Sequence, residues 1–252
     1  MDNAKRLPNY MLLRRPRTRA IRQLNNIFVV TQIAQSALDD ARRTLEAGPH
    51  TKLLFSVPTI RNEQVGVPRR RSKILALLKD AAERDLFSQA LVPAVAVTEG
   101  YLADTLGLIL RAFPEKLSMT DKKIDLSLVL ESTDLDELRR RIITNQIHSA
   151  FYASPAKYFE YIEQVLSISI GATRKSAYSE VKATRDIYVH NSGIANRVYL
   201  QKAWTLARAR DGQLLPMDRT YFSSAITCLK GIVQSVYKRL LEQYGRTKGL
   251  AA

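Results

Sequence analysis

Arg185, Asp186, His190 and Asn191 fall within seven residues of one another, in the stretch RDIYVHNSG. Arginine stays charged at any working pH, and its planar fork matches a phosphate group. Histidine changes charge near neutral pH and can move protons. Together they are a minimum set for cutting RNA. The ribose 2′-OH is its own nucleophile there, so neither a protein nucleophile nor a metal is needed. The protein must move protons and stabilise a pentavalent phosphate that gains negative charge. In this reading His190 is the acid/base group and Arg185 the phosphate ligand. Asp186 would orient one of them, and Asn191 would bond substrate or hold the turn that bears His190.

Spacing alone is a weak signal. Five residues on an ideal helix turn through about 140°, so Arg185 and His190 diverge unless the helix loosens at its end. Asn191-Ser192-Gly193 suggests such an end, with Gly193 as a left-handed stop. The last turn of a helix presents unpaired carbonyls, which favour a protonated imidazole.

The elements that must position these groups read as helices. Ala20, Leu24, Ile27, Thr31, Ala34, Leu38, Ala41 and Leu45 follow steps of three and four, predicting a helix over 18–46 that Gly48-Pro49 stops. Residues 1–16 read as a loosely ordered basic arm, and 47–71, with three prolines and two glycines, as a loop. A helical stretch follows over 72–113, which Pro93 should bend or split. Its stripe is Val95, Leu102, Leu106, Ile109 and Phe113, and Glu99 falls on it. A carboxylate there needs a partner: either a structural ion pair or an active-site cation that it orients. Further helices are expected from Ser132–Asp136 to Tyr152, from a Ser154 cap with Pro155 next, over 175–190, and from an Asp218 cap to Tyr244. Asp211-Gly212 signals a turn, read as a small hairpin. The expected fold is an all-α, antiparallel up-and-down bundle over 81–252, with an N-terminal helical extension over 1–80.

The net charge is +15, of which residues 1–80 carry +10. Such an excess favours a polyanionic partner, and Arg14, Arg15, Arg17, Arg19 and Arg22 are the candidate phosphate contacts. The single cysteine, Cys228, excludes an intramolecular disulfide and a Cys-based zinc site. His50, His148 and His190 lie far apart in sequence, so no metal site and no cofactor are expected. No signal peptide is legible, and Glu99 and Asp104 interrupt the most apolar run. A soluble, cytoplasmic protein without membrane contact is expected.

The segment ATRDIYVHNSGIANRVYL resembles the signature of the HEPN superfamily, whose motif is Arg, a polar residue, and His after four to six intervening positions. The upstream ELRRRIITNQIHSAFYASPAKYFEYIEQVL looks like the preceding helices of the subgroup found in phage-defence loci. The resemblance covers roughly 80–245 and is specific over about twenty residues. It implies an α-helical bundle and a metal-independent endoribonuclease that acts as a homodimer, two Arg–His motifs facing across a composite cleft. Arg185 and His190 carry over directly, and Asp186 matches the polar position. A toxin or antiviral defence role would follow, with RNA as substrate and an antitoxin or defence-system protein as partner. One subgroup carries a modified Tyr two residues after the His. Ser192 stands there, which puts that mode of control in doubt. The alternatives are a non-catalytic HEPN adaptor or RNA-binding module and, further off, a DNA-binding regulator using residues 1–80.

Overall fold

The computed structural model describes residues 10–48, 52–119, 126–151 and 155–245. It is an all-α bundle, as the apolar spacing predicts. Helix α1 (Arg14–Ala47) leads through a strand pair, β1 (Leu53–Pro58) and β2 (Gln64–Arg69), into α2 (Arg71–Asp80). One π-type turn over 81–85 joins α2 to α3 (Leu86–Ala112). Then come α4 (Leu126–Glu131), α5 (Leu135–Phe151), α6 (Pro155–Leu166), α7 (Ala172–His190), α8 (Arg197–Ala203) and α9 (Arg219–Tyr244). Helix α3 is the axis, touching α1, α5, α6, α7 and α9. Its predicted stripe is buried throughout, and Leu91 and Leu110 join it.

Several expectations need correction. The helix continues through Pro93. Proline removes a single i→i−4 bond, and fully buried Leu91, Ala94 and Val95 hold the helix on both sides. The irregularity lies upstream, where the Leu86 N–H reaches the Ala81 carbonyl. By length and composition Arg71–Ala112 would suffice to cross a membrane; here its apolar face is the centre of the bundle.

Residues 53–69 form an antiparallel hairpin, not a loop, with Phe55 opposite Val67 and Val57 opposite Val65. Pro58 and Pro68 are tolerated because a two-stranded ribbon has only edge strands. Arg71, the end of the arginine triplet, caps α1 through the Gly48 carbonyl at 2.9 Å and the Glu46 carbonyl. The arm is helical over Tyr10–Leu13, with Leu13 buried; residues 1–9 and the proposed Ser154 cap lie outside the described residues. The boundary expected at 80/81 falls inside one helical run, and Leu13, Ala20 and Leu24 share one core with α3 and α9. Capping is as the sequence predicts at two starts. Asp134 Oδ1 accepts from the Glu137 N–H at 2.7 Å, and Asp218 Oδ1 from the Tyr221 N–H at 2.7 Å.

Candidate active site

Helix α7 remains regular through His190. Asn191 ends it, its N–H still reaching the Ile187 carbonyl at 2.9 Å. Ser192 and Gly193 then take positive φ of 50° and 81°. Glycine is favoured at 193 for a second reason: a Cβ there would lie 3.1 Å from both the Leu214 and Tyr188 side chains, which would have to give way. The chain next pairs with the turn at Asp211-Gly212. The Ala195 N–H donates to the Gln213 carbonyl at 2.8 Å and the Leu215 N–H to the Gly193 carbonyl at 2.8 Å. The Asp-Gly turn thus exists, but its downstream arm pairs with 193–195 instead of closing a hairpin of its own. Asn191 holds this turn by donating Nδ2 to the Ile194 carbonyl. Ala183, Ile187, Ala195, Tyr199, Ala203 and Leu215 form a small core beneath it.

A cleft of about 640 Å³ opens beside this helix end, and Arg185, Asp186, His190, Asn191 and Glu99 all line it. The helix does not loosen to bring them together. Lys182, Asp186 and His190 succeed one another by four residues and share a face, while Arg185 reaches into the cleft from that face's margin. Its guanidinium donates to Glu99 Oε2 at 3.1 Å and lies 3.2 Å from Asp186 Oδ1. Lys182 bonds the other Glu99 oxygen, and Lys202 of α8 pairs with Asp186 Oδ2 at 3.0 Å. The result is an alternating ladder, Lys182–Glu99–Arg185–Asp186–Lys202, with three cations and two anions. Arg185 is held on both sides, its side chain only 19% exposed. Its Nε is buried with no acceptor among the described residues. His190 is exposed at the same cleft.

Glu99 therefore orients Arg185, as does Asp186, and Asn191 holds the His190 turn. Three lining residues were not legible in the sequence: His148 and Phe151 of α5, and Lys202 of α8, which pairs with Asp186. No local spacing links His148 to His190; only the packing of α5 on α3 does. Lys182 stands three residues before Arg185 and four before Asp186, a helical-face signal that was there to be read. Of the five N-terminal arginines, none lines the cleft. Arg17 donates to Gln234 Oε1 at 2.8 Å and lies over the Tyr237 ring, and Arg19 pairs with Asp104. Both brace α1 on the bundle, while Arg14, Arg15 and Arg22 are exposed.

Behind α7 lies a second polar cluster. Buried Glu180 accepts from Thr184 at 2.8 Å, Arg208 Nε at 2.9 Å, the Tyr221 hydroxyl at 2.8 Å and the Tyr199 hydroxyl at 3.3 Å. Arg208 also lies 3.4 Å above the Tyr221 ring centre. Burial, and then the charge of Glu180, push the Tyr221 hydroxyl well above its ordinary pKa. Burial likewise pushes the Cys228 thiol up to about 11, leaving it a poor nucleophile. Among the described residues no group of three His, Cys, Asp or Glu side chains is placed to hold a metal. Comparison with known proteins finds no family model that matches the chain, no curated protein similar to it in sequence and no solved structure similar to it in fold.

Proposed function

We propose that this chain is a metal-independent endoribonuclease of the HEPN type. The observation that carries the reading is the cleft itself: a guanidinium fixed by two carboxylates and an exposed imidazole on one surface, with cations in excess. A scissile phosphate would sit against Arg185. The substrate's 2′-OH attacks the adjacent phosphorus, losing its proton to a base. The bond from phosphorus to the 5′-oxygen breaks, and that oxygen takes up a proton. The products are a 2′,3′-cyclic phosphate and a 5′-OH. His190 carries one of these protons, and Arg185 neutralises the charge that builds on the equatorial oxygens. His148 lines the α5 side of the same cleft, and in this reading it would take the other transfer.

The resemblance to HEPN domains adds a homodimer and a role in toxin or antiviral defence to this proposal. Exposed Val189, Val198 and Leu214 offer apolar surface near the cleft for a second copy. A non-catalytic RNA-binding or adaptor role is the second reading. It is favoured by the engagement of Arg185 with two carboxylates, since a purely structural ion pair has the same geometry. The deciding experiment incubates purified protein with total RNA in excess EDTA. Cleavage leaving 2′,3′-cyclic phosphate or 3′-phosphate ends is expected. Strict magnesium dependence with 3′-OH ends would overturn the mechanism, and binding without cleavage would favour the adaptor.

A further inference from the structure

Trp204 is the only tryptophan in the chain, and it is 77% exposed. It follows α8 at φ 47° and ψ −121°, a backbone conformation that side-chain-bearing residues rarely adopt and glycine adopts freely. The sequence thus puts its largest side chain where glycine would fit best and leaves that side chain in solvent. Core packing does not account for it: the small cluster beneath ends at buried Ala203. Among the described residues no aromatic ring stacks on the indole. A strained position that neither the backbone nor packing explains is the kind of site where function is sought.

The surroundings say which function. Trp204 lines a second groove of about 870 Å³, within the range of ligand clefts. Val198 and Lys202 line both this groove and the Arg185/His190 cleft, so the two meet along α8. Lys202 pairs with Asp186 on the cleft side, and Lys175 of the groove pairs with Glu163 at 2.8 Å. An ammonium has three donors, so each lysine keeps donors for a phosphate. Glu160 and Glu163 line the groove too, so its own charge is balanced; what it offers a single strand is a flat exposed ring for a base, beside a cleft whose cations are in excess.

We infer that Trp204 is a base-stacking platform for an unpaired nucleotide flanking the scissile phosphate, with Lys202 bridging the two positions. The inference rests on the ribonuclease reading for the identity of the neighbouring cleft. It explains the strain: the positive φ presents the indole outward instead of letting it fold onto the Ala203 core.

Because Trp204 is the single tryptophan, its fluorescence reports directly. The full chain carrying His190→Ala, which leaves RNA intact, is titrated with a single-stranded adenosine oligonucleotide and with an abasic oligonucleotide of equal length. Quenching by the base-bearing strand and much less by the abasic one is expected. Read by the fluorescence anisotropy of a dye-labelled copy of the same oligonucleotide, Trp204→Gly in the same background should weaken binding by roughly 5- to 150-fold, and Trp204→Phe should restore much of it. Trp204→Gly should also melt no lower than its parent, since it removes the strain. Equal quenching by both strands, or no quenching, overturns the platform. So does a Trp204→Gly protein whose only change is in its sedimentation as monomer or dimer, which would make the ring a contact between copies. The ribonuclease reading fails separately: if wild type leaves RNA uncut while bases still quench Trp204, the platform stands and the cleavage chemistry falls.

Discussion

Helix α7 carries a charge network on each of two faces, and the two are built differently. Toward the core, Glu180 sits among two tyrosines, a threonine and an arginine, all donating to it. One carboxylate is enclosed by donors and nothing is left over. Toward the cleft, three cations share two carboxylates, Arg185 Nε has no acceptor among the described residues, and an imidazole stands in solvent. The first network holds α7 to α8, α9 and the 208–216 segment. The second keeps positive charge and spare donors facing outward. Position on a single helix separates enclosed from open polarity here: Glu180 and Asp186, six residues apart, point to different sides.

Substitutions should divide along that line. The largest effect is expected from His190→Ala, with RNA cleavage falling ~10²- to 10⁴-fold and the melting temperature unchanged, because the side chain is exposed. Circular dichroism beside a cleavage assay checks both halves, and a destabilised His190→Ala protein would move His190 to the structural side. Glu180→Ala should do the reverse. It strands Arg208 among buried groups and should cost about 3–5 kcal/mol of stability, read by urea denaturation, while folded protein still cleaves. Glu99→Gln tests whether holding Arg185 matters more than its charge. The cleft gains a net positive charge, so RNA should bind more tightly, its salt slope steepening by up to ~0.7. Turnover should fall by roughly 10- to 100-fold as Arg185 loses its anchor. Faster turnover with tighter binding would show that the carboxylate merely dampens the site.

The smallest effect is set by alkali. Tyr221 has its pKa raised in the folded state by burial and by Glu180. Its contribution to stability is complete below the unfolded tyrosine value of about 10 and is lost as pH rises beyond it. Ultraviolet absorbance of phenolate should therefore show Tyr221 ionising only as the helical signal disappears. Tyr221→Phe should remove one phenolate from that coupled rise, the other buried tyrosines keeping theirs.

Apolar steps of three and four were enough to place α1, α3, α7 and α9, because each buries one stripe against the core. The hairpin at 53–69 was hidden by Pro58, Gly66 and Pro68, whose usual meaning is loop; only the pairing of β1 with β2 shows that prolines can sit on both edges. The same holds at the site. Arg185, Asp186, His190 and Asn191 were legible as a local constellation, and Glu99 as a carboxylate on an apolar stripe. Lys202 and His148 were not, since α8 and α5 reach the cleft through tertiary packing that no local spacing encodes. The brace made by Arg17 and Arg19 was equally invisible, because Gln234 and Asp104 are remote in sequence.

That remoteness has a consequence for synthesis. Arg17 and Gln234 are 217 positions apart, and Phe28 stacks on Phe222 of α9 with ring centres 6.0 Å apart. A ribosome adds about 5–20 residues per second, so roughly 10–45 s separate the appearance of the two halves of this contact. Through that interval α1 can lean on α3, but the side of it that α9 will cover stays wet. The nascent chain is then a half-closed bundle presenting Phe28 to chaperones and proteases. The arrival of α9 seals it.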